Sequence, residues 1–168
     1  MTPSSTEAPQ NHPSSSPWLG ILPFIGVILF IISTIPMVFG HYEGDWQKDT
    51  LLNAIVYMIG YAGIGAGISH LFFGKTISRS IGFEKDPYEF EVGFADLSFG
   101  IVAVLAPHFS PDYWFAIILV SSLYRIGCGI GHIKQIIQRK NFAINNTAIL
   151  FIDFVVPAFL LTIYYLWT

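Results

Sequence analysis

From Trp18 to Phe39 the chain reads WLGILPFIGVILFIISTIPMVF, without one charged residue. A helix of about 20 such residues crosses the hydrocarbon of a bilayer. Backbone in lipid must satisfy its own hydrogen bonds, so a chain made of such runs has few folds open to it. Further apolar runs lie at about 51–73, 92–109, 113–133 and 147–167. The run at 92–109 is the shortest of the five and carries Asp96. Charged residues make up 11% of the chain, against roughly 25% in a soluble domain. These features predict an all-α fold, a five-span transmembrane helical bundle over residues 18–168.

Residues 1–17, MTPSSTEAPQNHPSSSP, are rich in Pro, Ser and Thr. Such a segment buries too little apolar surface to fold, so a disordered tail with a solvated His12 is expected. It lacks the basic start and short apolar run of a secretory signal. The piece KTISRSIGF after the second run puts Ile77 and Ile81 four residues apart, the spacing of a short helix lying on the interface.

Lys and Arg alternate between the connections. The first holds Lys48; the second holds Lys75, Arg79 and Lys85; the third holds none; the fourth holds Lys134, Arg139 and Lys140. The excess marks the cytoplasmic side, which predicts a cytoplasmic N-terminus. The formal charge of -3 argues against a nucleic-acid partner. The bilayer is the expected partner, with a second copy or another membrane protein as the other class to test. A lone cysteine, Cys128, forms no internal disulfide and is read as a packing residue.

GAGISHL (Gly65–Leu71) and GCGIGHI (Gly127–Ile133) match at most positions. Each precedes a basic connection and a run with one aspartate in its first half, Asp96 and Asp153. The second and third runs thus echo the fourth and fifth, as in membrane proteins built from parallel repeats. Chance use of small residues gives the same pattern. Gly63 and Gly67, and likewise Gly127 and Gly131, have the small-xxx-small spacing of close helix packing.

The polar residues supply the candidate site. Ser121, Arg125, Cys128 and His132 fall on one helical face. Asp153, Asp96, His70 and Glu91 lie in the same, cytoplasmic half of their runs. Burying an ionised Arg or Asp at mid-helix costs about 2.5–3.5 kcal/mol, so these groups should turn inward and pair. Arg125 with Asp153 is the first expected pair and Arg125 with Asp96 the second. A salt bridge that fixes helix register and histidines that cap helix ends are the structural alternatives. The functional reading is a shared pocket of Arg125, Asp153, Asp96, His132, His70 and Glu91. It would bind a small solute, an anionic or quinone-like ligand held through Arg125, or relay protons, since His titrates near neutral pH. Haem between His70 and His132, a quinone, and a His/Asp metal site stay open as alternatives. So does a scaffold subunit whose glycine faces are the product. His41, Glu43, Asp45 and Asp49, and likewise His108 and Asp112, read as solvated loop residues. No Walker loop, nucleophile elbow, H-E-x-x-H or dinucleotide fingerprint is present, which weighs against an enzyme.

EVGFADLSFG (Glu91–Gly100), GIGHI (Gly129–Ile133) and Asp153 with Pro157 carry a resemblance over roughly residues 50–165. With these motifs the chain resembles a family of small, multi-span bacterial membrane proteins of unknown function. The resemblance implies a bacterial inner-membrane location and assigns no catalytic residue.

Overall fold

The computed structural model describes residues 21, 24–40, 42–84 and 86–168. The tail expected at 1–17, the start of the first apolar run, His41 and Lys85 lie outside the described residues. The described residues form five helices and no strand: α1 (Ile25–Phe39), α2 (Trp46–Ser80), α3 (Glu89–Val104), α4 (Pro111–Arg139) and α5 (Ile144–Trp167). Three of them, not five, are long and apolar enough to cross a bilayer: α2, α4 and α5. The 15 described residues of α1 and the 16 of α3 reach about 22 and 24 Å at 1.5 Å per residue, short of about 30 Å of hydrocarbon.

Local chemistry explains why α3 stops early. Pro107 cannot donate to the helix ladder, and Ala106–His108 tighten into one 3₁₀ turn. The Trp114 indole then donates to the Ala106 carbonyl at 2.8 Å. At the other end of α3, Glu89 and Glu91 sit in the first turn, where the helix dipole favours negative charge.

Helix α2 has 35 residues and is composite. It is α-helical over Trp46–Ala54, opens into a π turn at Ile55–Tyr61, and is α-helical again over Ala62–Ser80. Phe73 departs from helical geometry (φ -127°, ψ 17°), so the last turns bend away. This corrects the interfacial reading of KTISRSIGF. The segment is helical, but Ile77 and Ile81 are buried and face the interior of the protein.

The connections gather in two sets. Asn141, after α4, donates its amide to the carbonyls of Ile81 (2.8 Å) and Gly82 (3.2 Å), after α2. At the opposite end Trp167 donates to Asp45 at 3.2 Å, and its ring lies 5.3 Å from that of Trp114. The second and fourth connections, together with the helix ends before them that carry most of the Lys and Arg, therefore share one end, here called the basic end. The first and third share the other. Near that other end the core is closed by Leu51, Ile55, Ile118, Val156 and Leu160. Large apolar side chains, among them Ile32, Phe72, Leu123 and Phe151, face outward, a pattern that marks an interaction surface or lipid contact.

Glycines set the closest helix contact. A Cβ on Gly63 would lie 2.7 Å from the Asp96 carbonyl oxygen, and one on Gly67 2.8 Å from that of Gly93. The expectation for Gly127 and Gly131 is corrected: a Cβ on either meets nothing within 4 Å. The contact glycine of α4 is Gly129, whose Cβ would lie 2.8 Å from the Phe154 ring. Helical phase gives the reason. With about 100° per residue, Gly127 lies about 200° from the inward-facing Arg125, whereas Gly129 lies within about 40° of it.

This difference is testable by thermal unfolding in detergent followed by circular dichroism. Gly63→Val overpacks a backbone contact and should cost about 1–3 kcal/mol. Gly127→Ala should hold or raise the melting temperature, because Ala favours a helix interior by about 0.5–1 kcal/mol. Equal losses in the two variants would refute the contact assignment.

Candidate functional site

Four helices, α2 to α5, enclose a cavity of about 430 Å³ toward the basic end. Arg125 reaches it from α4. Its Nη1 lies 3.4 Å from Asp153 Oδ1 on α5, and its Nη2 donates to the Met58 carbonyl at 2.9 Å. Met58 sits in the π turn of α2. Such wider turns recur at functional sites, and this one presents a carbonyl to a guanidinium from another helix. One side chain thus joins α2, α4 and α5. The first of the two expected pairs is present. Asp96 lines the same cavity beside Arg125 and Tyr124, but among the described residues Arg125 makes its ion pair with Asp153.

His132 is buried on the cavity wall. Its Nδ1 lies 2.6 Å from Asn146 Oδ1, and Asn146 Nδ2 donates to the Asn141 carbonyl at 3.1 Å. That donation fixes the amide with Oδ1 toward the ring, so Nδ1 carries a hydrogen and donates it. In the neutral imidazole Nε2 is then an acceptor. It faces Asp153 Oδ2 at 3.9 Å, beyond hydrogen-bond range. Asp153 Oδ2 is buried without a hydrogen-bond partner among the described residues. In that neutral tautomer two acceptors face each other across 3.9 Å.

His70 lines the cavity from α2, and its Nδ1 is likewise buried without a partner among the described residues. With Asp86 and Glu89 it also borders a second cleft, of about 420 Å³, beyond the bend at Phe73. Glu91 is exposed and does not line the cavity, which corrects its place in the expected site. Glu89, about 200° around α3, enters instead and accepts from the Ser78 hydroxyl. The sequence held a signal for this choice. Glu89, Gly93, Asp96 and Gly100 are spaced four, three and four apart, one face of a helix, and Gly93 and Gly100 are the buried glycines of α3. Tyr124 and Asn146 were also missed; Tyr124 lies one residue off the polar stripe of α4. The Met58 carbonyl carries no sequence signal.

Residues at matching places in the two similar stretches occupy matching places on the cavity wall. Ala66, Ser69 and His70 line it from α2, and Cys128, Gly131 and His132 line it from α4. Gly67 packs on Leu97, the residue after Asp96, and Gly129 packs on Phe154, the residue after Asp153. Among the described residues no group of three or more His, Cys, Asp or Glu is placed to hold a metal ion.

Residues 18–168 match a family of unknown function, DUF6790. The chain belongs to that family. The match takes in the first apolar run as well as the stretch from 50 to 165 that carried the resemblance. Neither a curated protein nor a solved structure matches the chain. The geometry of this DUF6790 chain therefore has to carry the functional argument by itself.

Removing one partner of a buried ion pair leaves the other charge uncompensated, at about 3–5 kcal/mol. Arg125→Leu should destabilise by that order, because Asp153 and the Met58 carbonyl both lose their donor. The double variant Arg125→Leu/Asp153→Leu should be less damaging than the sum of its singles. A double-mutant cycle by chemical unfolding measures this coupling, and strict additivity would show that the pair does not act as one unit.

Proposed function

We propose that this is a five-span bacterial inner-membrane protein that binds or passes a small solute or protons through its cavity. In this reading α1 and α3 complete the bundle around the three long helices. The basic end faces the cytoplasm, following the bias of Lys and Arg. Spans two and three and spans four and five act as two similar walls, and solute sites in such membrane proteins fall between the repeats.

The observation that carries the reading is the buried line Arg125–Asp153–His132 with its open pair of acceptors. Ionisable groups inside a membrane bundle are costly and mark solute or proton routes. The cavity also has the size of a small-ligand pocket, about 300–1,000 Å³. A register-fixing salt bridge would need Arg125 and Asp153 alone. It does not call for a buried His132 held in one tautomer, nor for a carboxylate oxygen left without a donor. The haem alternative is weaker, because one ring nitrogen of His132 is bonded to Asn146 and the other faces Asp153. A Soret band in the absorption spectrum of the purified protein would restore it.

Function is tested in proteoliposomes with an entrapped pH dye. Asp153→Asn keeps the shape of the side chain and an oxygen for Arg125. It should abolish proton-linked flux while the protein still inserts and unfolds within a few degrees of wild type. Loss of accumulation without a separable loss of flux would favour a purely structural pair. Topology has its own test, with Cys128 replaced by Ala and single cysteines placed at Glu43, Glu84, Asp112 and Lys140. An impermeant maleimide added to intact cells should label the first and third and spare the other two. Labelling at Glu84 or Lys140 would reverse the orientation.

A further inference from the structure

The walls of the cavity say which solute they suit. Among the described residues Glu84, Asp86, Glu89, Asp96 and Asp153 bring five carboxylates to it, against the guanidinium of Arg125. That guanidinium already has Asp153 and the Met58 carbonyl as partners, so part of its charge is answered within the protein. Asp153 Oδ2 and Glu89 Oε2 are buried acceptors without a partner among the described residues, and His132 Nε2 lies 3.9 Å from the first of them. Asp153 is only 6% exposed at its side chain, so it is held away from bulk solvent. Most of the remaining surface is apolar and aromatic, with Phe83, Phe99 and Tyr124 among the lining residues.

We propose that the cavity binds a small organic ammonium ion, a protonated amine on an apolar body. The proposal rests on the solute-binding reading above and names the class of solute. An ammonium nitrogen about 2.9 Å from each acceptor, an ordinary hydrogen-bond length, sits at the apex of a triangle whose base is the 3.9 Å between Oδ2 and Nε2. It donates one hydrogen to each and places a positive charge where the carboxylates outnumber the guanidinium. The body then lies against aromatic faces, which attract cations. A bare metal ion fits less well, because no group of three or more His, Cys, Asp or Glu among the described residues is placed to hold one. An anion meets an excess of carboxylates among the described lining residues.

The test uses three probes of one size that differ in charge: benzylammonium, benzyl alcohol and benzoate. Each is titrated calorimetrically into the full-length protein in dodecyl maltoside. Benzylammonium should bind at least about tenfold more tightly than benzyl alcohol, a difference of about 1.4 kcal/mol, and benzoate should not bind. Asp153→Asn should weaken benzylammonium by about tenfold or more and leave benzyl alcohol unchanged. Asp96→Asn, which leaves both partners of the ion pair in place, gives a second reading of the same charge effect should Asp153→Asn fail to fold. Equal binding of the ammonium and the alcohol, or tighter binding of benzoate, overturns the proposal. Absence of benzylammonium binding overturns it too. If Asp153→Asn still abolishes proton flux in that case, the ammonium class falls alone; if flux is insensitive as well, the solute and proton reading falls with it.

Discussion

Arg125 is the side chain on which the interior depends. A guanidinium in a bundle of apolar helices is tolerated only if its hydrogens find acceptors, and it cannot shed its charge to escape the cost. This one reaches Asp153 on α5 and the Met58 carbonyl on α2. The rotation of α4 is fixed by that need. Once Arg125 points inward, Cys128 and His132 follow on the same face, Gly129 meets α5, and Gly127 turns out. The π turn of α2 belongs to the same arrangement, because it supplies the second acceptor, the Met58 carbonyl. Such a contact joins residues 67 positions apart in sequence, so the bundle must be assembled before the guanidinium is satisfied.

The basic end shows how backbone chemistry frames the cavity. Gly82 and Lys140 both have positive φ, and each closes the helix before it with a left-handed residue. Asn141 then bonds back to the carbonyls left open at Ile81 and Gly82, and its own carbonyl orients Asn146. Asn146 sets the tautomer of His132. The chemistry of one buried imidazole is thereby tied through two asparagines to the turn after α2. A change in that turn would be felt at the cavity without any contact to Asp153.

Much of this was legible in the sequence, and the failures have physical causes. The long apolar runs give the helices, because lipid-like burial leaves the backbone no other way to pair its hydrogens. Matching depth along consecutive helices gave the pair Arg125 and Asp153. The misread residues share one cause, which is rotation about the helix axis. Glu91 and Glu89 have the same charge and nearly the same depth, and only the packing of Gly93 and Gly100 against α2 decides which one enters. Gly127 and Gly131 satisfy a spacing rule that says two residues share a face but not which way that face points. The π turn was illegible because Ile55–Tyr61 contains no proline and no polar break; its cause lies in partners on other helices.

The two similar stretches diverge at the position that matters most. Counting back from the shared histidine, Gly63 on α2 stands where Arg125 stands on α4. Gly63 lets α3 approach until backbone meets backbone, near the Asp96 carbonyl. Arg125 instead fills that space with a cation and reaches across the cavity to the other wall. The aspartates follow suit: Asp96 is left without an ion pair among the described residues, while Asp153 holds one oxygen on Arg125 and leaves the other open. The histidines divide in the same way, with His132 anchored by Asn146 and His70 without a partner for Nδ1. A cavity lined by two copies of one pattern with equal partners would have no preferred side. Placing a fixed cation in one copy and a glycine in the other gives it a rigid, polarised wall at α4 and α5. The facing wall at α2 and α3 is close-packed, bent at Phe73, and shares His70, Asp86 and Glu89 with the second cleft.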